Sequence, residues 1–138
     1  MKTFLLLATF CALTLPALAG SKDEVHTPDK GSVERSAILE AVHAQYARND
    51  PDRTAATVEF TVPYLKVHNG WAWIEIHPRM KDGSQAFEPQ SELYRLKDGK
   101  WTFMDSLSGE ADADHPKEIR EMKKKFPGLP EDILPKVQ

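Results

Sequence analysis

The chain predicts an α+β fold: an N-terminal helix packed on a four-stranded antiparallel sheet made of two hairpins, with a C-terminal helix after it. Three observations carry this. Asn69-Gly70 and Asp98-Gly99 each sit between runs of alternating apolar residues, and such two-residue loops favour the type I′ turn because both central residues reach positive φ. Apolar residues recur at helical spacing after Ser32 and again after His115-Pro116. Strands and helices do not alternate along the chain, which argues against a parallel βαβ sheet.

Residues 1–19 combine a basic start at Lys2, an apolar stretch from Phe4 to Leu15 and Ala17-Leu18-Ala19 before Gly20, the layout of a cleavable secretory signal. About a dozen apolar residues are too few to span a bilayer. Phe10 is too bulky to precede Cys11 in a lipobox, so the expectation is export to the periplasm with a mature chain from Gly20. Residues 20–31 are polar and read as a flexible segment, and residues 32–138 as a single domain.

Ser32 is a suitable N-cap for a helix from Val33 to about Arg48, with Ile38, Ala41, Val42 and Gln45 on one stripe and Leu39 and Tyr46 beside it. Asn49-Asp50-Pro51-Asp52 ends it, since proline cannot continue the ladder. The first hairpin runs from Thr57 to His77. With His68 opposite Trp71, the partners become Val67 with Ala72, Lys66 with Trp73, Leu65 with Ile74 and Tyr64 with Glu75. Leu65, Val67, Ala72, Ile74 and Ile76 then share a core face, and Tyr64, Lys66, His68, Trp71, Trp73, Glu75 and His77 share the other. Val58, Phe60 and Val62 fall on the opposite parity from Leu65 and Val67, so a bulge at Pro63 is expected to restore one apolar face.

Arg79 to Ser91 reads as a long polar link, and such loops are more often functional or mobile than short ones. The second hairpin pairs Glu92–Lys97 with Lys100–Ser106. Leu96 faces Trp101, Tyr94 faces Phe103 and Glu92 faces Asp105 on the buried side, while Lys97 with Lys100, Arg95 with Thr102 and Leu93 with Met104 fall on the other. Ser108 to Asp114 is a small acidic connection. A helix then runs from His115-Pro116 to about Phe126, with proline at the favoured first position and Ile119, Met122 and Phe126 as its stripe. Pro127-Gly128 stops it, and Leu129, Ile133 and Leu134 form a small anchor in the tail.

The segments RSAILEAV, VEFTVPYLKVHNGWAWIEI and LYRLKDGKWTF, within Ser32 to Ser106, resemble small secreted and periplasmic bacterial proteins of cystatin-like or NTF2-like α+β type. The resemblance implies a helix lying in a curved antiparallel sheet, and an exported address. NTF2-like enzymes close a conical pocket with more than one helix ahead of the sheet; after the signal this chain has one.

Loss of Lys2 takes the formal net charge of −3 to −4, which excludes the basic excess expected of a nucleic-acid partner. Cys11 is the only cysteine, so the mature chain forms no disulfide, as suits a periplasmic domain. The five histidines, His26, His43, His68, His77 and His115, form no HxH or HxxxH pair, and no metal or cofactor is expected. In a flat register His77 falls opposite about Val62, roughly 20 Å along the strand from His68. Glu75, His77, Tyr64, Glu92 and Asp105 are titratable but read as ordinary cross-strand neighbours, Ser106 and Ser108 lack a GxSxG or SxxK context, and the KEIREMKKK stretch reads as a solvated helix face, so no catalytic residue is assigned.

The aromatic set is the strongest binding signal, because tryptophans alternating on one strand make an amphipathic surface that must be covered by the chain itself, a twin or a partner. The expectation is a non-enzymatic periplasmic protein-binding module, an inhibitor or immunity protein against a cell-wall-targeting enzyme or secreted toxin, with Tyr64, Trp71, Trp73, Glu75, Glu110, Asp112 and Asp114 as partner-binding residues. The alternative is an NTF2-like small-molecule-binding protein or enzyme with a pocket between helix and sheet, using Tyr64, Tyr94 or Asp105. A homodimer is compatible with either, and no integral membrane segment is expected.

Overall fold

The computed structural model describes residues 24–136; the expected signal at residues 1–19 and residues 20–23 of the expected flexible segment lie outside the described residues. The order is α1 (Val33–Asn49), β1 (Val58–His68), β2 (Trp71–Met80), β3 (Gln90–Lys97), β4 (Lys100–Ser106) and α2 (His115–Lys125), with a 3-10 turn at Glu131–Ile133. The strands form one antiparallel sheet in the order β1-β2-β3-β4, and the expected fold class is the one observed.

Local chemistry sets the ends of the helices. Ser32 Oγ accepts from the Arg35 N–H at 3.1 Å, and Asp114 Oδ1 accepts from the Lys117 N–H at 2.9 Å, each supplying a partner to a first-turn donor. Ile38, Val42 and Tyr46 are buried at four-residue intervals, one stripe of α1.

The first hairpin has the expected pairs from His68 with Trp71 to Tyr64 with Glu75. Asn69 and Gly70 take φ of 49° and 71°, the left-handed pair a type I′ turn needs. The register shifts between Thr61 and Tyr64, so the expected bulge is present, and Phe60 and Val62 join Leu65 and Val67 in one layer. Beyond it Thr61, rather than Val62, faces His77.

The second hairpin follows expectation only near its turn. A shift between Leu93 and Tyr94 pairs Leu93 with Asp105 and Glu92 with Ser106, leaving Met104 as the extra residue. The expected Glu92–Asp105 and Leu93–Met104 pairs are therefore absent. The bulge sends Asp105 to the α2 side, where Lys125 Nζ meets its carboxylate at 2.9 Å. Without it two carboxylates would face each other on the buried side, a costly arrangement.

Both faces of the sheet are packed. On one, Ile38 and Val42 of α1 meet Leu65, Val67, Ala72, Ile74, Ile76 and Tyr94. On the other, Ile119 and Met122 of α2, with Leu129, Ile133 and Leu134 of the tail, cover Trp71, Trp73 and Leu93. Tyr64 Oη donates to the Ile133 carbonyl at 3.0 Å and His68 Nδ1 lies 2.8 Å from Asp132, which pins the tail.

Two expectations about loops are corrected. Residues 24–31 are not a free lead-in: His26 and Val67 exchange both backbone hydrogen bonds, at 2.9 and 2.8 Å, and His26 Nε2 meets Glu34 at 2.8 Å. The open edge of β1 offers unpaired backbone groups, and this segment takes some of them. Arg79 to Ser91 is likewise shorter as a loop than expected. β2 runs on to Met80 and the chain folds back on it, with the Met80 N–H donating to Gln85 and the Phe87 N–H to Pro78, at 2.8 and 2.9 Å. Phe87 then lies 4.1 Å beneath the Arg53 guanidinium.

Gly70→Ala forces a side chain onto a backbone at φ 71° and is expected to destabilise by about 1–2 kcal/mol in urea unfolding. Gly109→Ala, where nothing lies within 4 Å of the added carbon, is expected to change stability by less than about 0.5 kcal/mol. Equal effects would contradict the assigned turn.

Candidate functional site

The structure separates the expected binding residues into two groups. Trp71 and Trp73 are 7% and 1% exposed beneath α2 and the tail, with the Phe126 ring 5.6 Å from that of Trp71. Their place as partner-binding residues is therefore corrected: removing two indoles from water is a large apolar gain, and α2 brings Ile119 and Met122 to collect it. Tyr64 is half-buried with its hydroxyl on the tail, and burial, followed by the nearby Asp132 charge, raises its pKa. Glu75 faces Tyr64 across the hairpin, yet its carboxylate is 2.9 Å from His77 Nε2.

Glu110, Asp112 and Asp114 are exposed on the connection between β4 and α2. This connection is folded. The Ser108 N–H donates to Glu118 Oε2 at 3.1 Å, the Glu110 N–H to Ser108 Oγ at 3.2 Å and the Ala113 N–H to the Glu110 carbonyl at 3.1 Å. Asp114 is the cap of α2, whereas among the described residues the carboxylates of Glu110 and Asp112 have no hydrogen-bond or ion-pair partner.

One buried carboxyl stands apart from these. Glu92 and Tyr94 sit two residues apart on β3, hence on one face, and Tyr94 Oη donates to Glu92 Oε2 at 2.5 Å. Glu92 is only 4% exposed, and burial lifts its pKa above the ordinary 4.5, partly offset by the tyrosine hydrogen bond. Tyr94 is itself pushed far up, first by burial and then by the neighbouring carboxylate. Glu92 lines a cleft of about 270 Å³ between the C-terminal end of α1, at Gln45 and Asn49, the start of β3, at Glu88 to Gln90, and the wall made by Phe103, Ser106, Leu107 and Gly109.

A wider groove of about 540 Å³ lies between residues 27–30 and the bulge of β1. It is open to solvent, and Asp29, Lys30, Arg35 and Lys66 give it mixed charge. Among the described residues no group of three or more His, Cys, Asp or Glu is placed to hold a metal ion. His43 stacks on Phe60 at 4.2 Å with Nδ1 buried and unpartnered; burial, then the Lys81 charge, lowers its pKa, which favours a neutral ring in the helix-sheet interface.

No family model, curated protein or solved structure matches the chain.

The chemistry of the site therefore rests on its residues. Glu92 has no second carboxyl opposite it, because the β4 bulge turns Asp105 toward Lys125. Of the two carboxyls that line the cleft, Glu92 is buried and held by Tyr94, whereas Glu88 is exposed. Alternation along the second hairpin puts Glu92 on the buried side, where by sequence it reads as an ordinary cross-strand neighbour. A lone glutamate at buried parity was the available signal.

The folded protein binds the Glu92 proton more tightly than the unfolded chain does. Its contribution to stability is full below about pH 4.5 and is lost as pH rises through the raised folded value. Glu92→Gln keeps an acceptor for Tyr94 and removes the titration. In urea unfolding between about pH 4 and pH 8, wild type is expected to lose stability relative to the variant as pH rises; parallel curves would contradict the assigned burial.

Proposed function

We propose that the protein is a non-enzymatic binding module that acts after export by covering a partner protein, in the manner of an inhibitor or immunity protein directed at a cell-wall-targeting enzyme or a secreted toxin. The observation that carries this reading is the exposed acidic connection, whose Glu110 and Asp112 carboxylates are engaged with nothing else among the described residues. Acidic groups held on a folded turn complement a basic cleft and speed encounter with it. The signal layout of residues 1–19 supports the periplasmic address, and the cystatin-like reading of the sequence belongs to the same proposal.

The acidic connection, rather than the buried tryptophan face, is the surface that meets the partner. Apolar packing between α1 and the sheet favours it over a pocket protein, because Ile38 and Val42 meet Leu65, Ile74 and Ile76 directly. Of the polar groups assigned to such a pocket, Tyr64 and Asp105 lie on the α2 side, and Tyr94 is bound to Glu92.

Immobilised protein exposed to a periplasmic extract is expected to retain a partner that the doubly reversed variant Glu110→Lys, Asp112→Lys releases, with wild-type capture weakening as salt screens the attraction. Retention by both proteins at all salt concentrations would remove the acidic connection from the interface.

A further inference from the structure

We infer that the cleft over Glu92 receives a basic side chain, a guanidinium above all, presented by the partner protein. This rests on the binding-module reading above and names the chemistry of its anchor.

Among the described residues the cleft has no counter-charge. Glu92 is nearly fully buried, and among the described residues Tyr94 is the one donor that reaches its carboxyl, at Oε2. Among the described residues the other charged group in the lining is Glu88, and no Lys, Arg or His lines the cleft. Arg48 acts on Tyr94 through its charge from α1 and makes no hydrogen bond to Glu92. Burying a carboxylate is costly unless a cation and further hydrogen bonds accompany it. A basic side chain entering the cleft supplies both, whereas an anion meets two carboxyls.

Shape narrows the choice. At about 270 Å³ the space lies below the roughly 300–1,000 Å³ typical of sites that enclose a whole small molecule, which suits a single side chain. A guanidinium is planar, carries five N–H donors and stacks on aromatic faces. The walls answer each property: Glu92 for the charged hydrogen bond, the Phe103 ring as an apolar wall, and the Gln45, Asn49 and Gln90 amides as acceptors around the rim. Position adds a route in. The cleft wall continues through Leu107 and Gly109 into the acidic connection, so a basic segment drawn to Glu110 and Asp112 arrives at the mouth.

N-acetyl-L-arginine methylamide titrated into the isotope-labelled protein is the direct test. Saturable amide shifts are expected at Gln90, Glu92 and Phe103, with the neutral citrulline analogue binding about tenfold more weakly or worse. Glu92→Gln is expected to weaken the arginine probe by a similar factor. Gln45→Lys, on the half-buried helix rim, is expected to abolish binding by presenting a cation of its own, which keeps the test intact if the sheet variant folds poorly. Equal response to citrulline, indifference to both substitutions, shifts confined to residues 110–114, or preferential binding of acetate or N-acetylglucosamine would overturn the proposal. If the probe fails while charge reversal at Glu110 and Asp112 still abolishes partner capture, the arginine pocket falls and the binding-module reading stands.

Discussion

A sheet with two apolar faces is the constraint on which the remainder of the structure depends. The Asn69-Gly70 turn fixes the hairpin register, and strict alternation along β2 sends Trp71 and Trp73 to one side and Ala72, Ile74 and Ile76 to the other. Neither set is stable against water. α1 covers the isoleucines, and α2 with the tail covers the tryptophans. Two bulges adapt the sheet to this double burden. That at Pro63 keeps Phe60 and Val62 in the layer of Leu65, and that at Met104 keeps Asp105 out of the layer of Glu92.

Much of this was legible in the sequence because it depends on local rules. The Ser32 cap, both turn dipeptides, the first register and the Pro63 bulge follow from backbone chemistry of a few neighbouring residues. What covers the tryptophan face was not legible, since an indole serves a core and an interface equally well. The Met104 bulge carries no proline or glycine to mark it, and alternation from Phe103 to Asp105 looks regular without it. The pinning of His26 to Val67 and the return of residues 85–87 onto β2 use main-chain hydrogen bonds, which leave little trace in side-chain pattern.

The functional reading follows from what the packing leaves over. With both sheet faces committed to the interior, accessible chemistry lies in the mixed-charge groove beside the β1 bulge, in the connection after β4 and in the cleft at the end of α1, and the last two are acidic. These two adjoin through Leu107 and Gly109, and among the described residues both present carboxyls without basic partners: Glu110 and Asp112 in solvent on the connection, exposed Glu88 and buried Glu92 in the cleft. A chain that keeps Glu92 inside at the cost of desolvating it gains stability only when the group is protonated or when a cation meets it. The buried carboxyl and the exposed acids are thus consistent with one kind of partner, a basic protein surface with a side chain that enters.

The claim most directly open to measurement is the side on which the tryptophans lie. In a NOESY spectrum of the labelled protein, cross-peaks are expected between the Trp71 indole and the Phe126 ring, whose centroids are 5.6 Å apart. Cross-peaks from that indole to the methyl groups of Ile38 or Val42 instead would place it under α1 and contradict the register from which the whole arrangement is built.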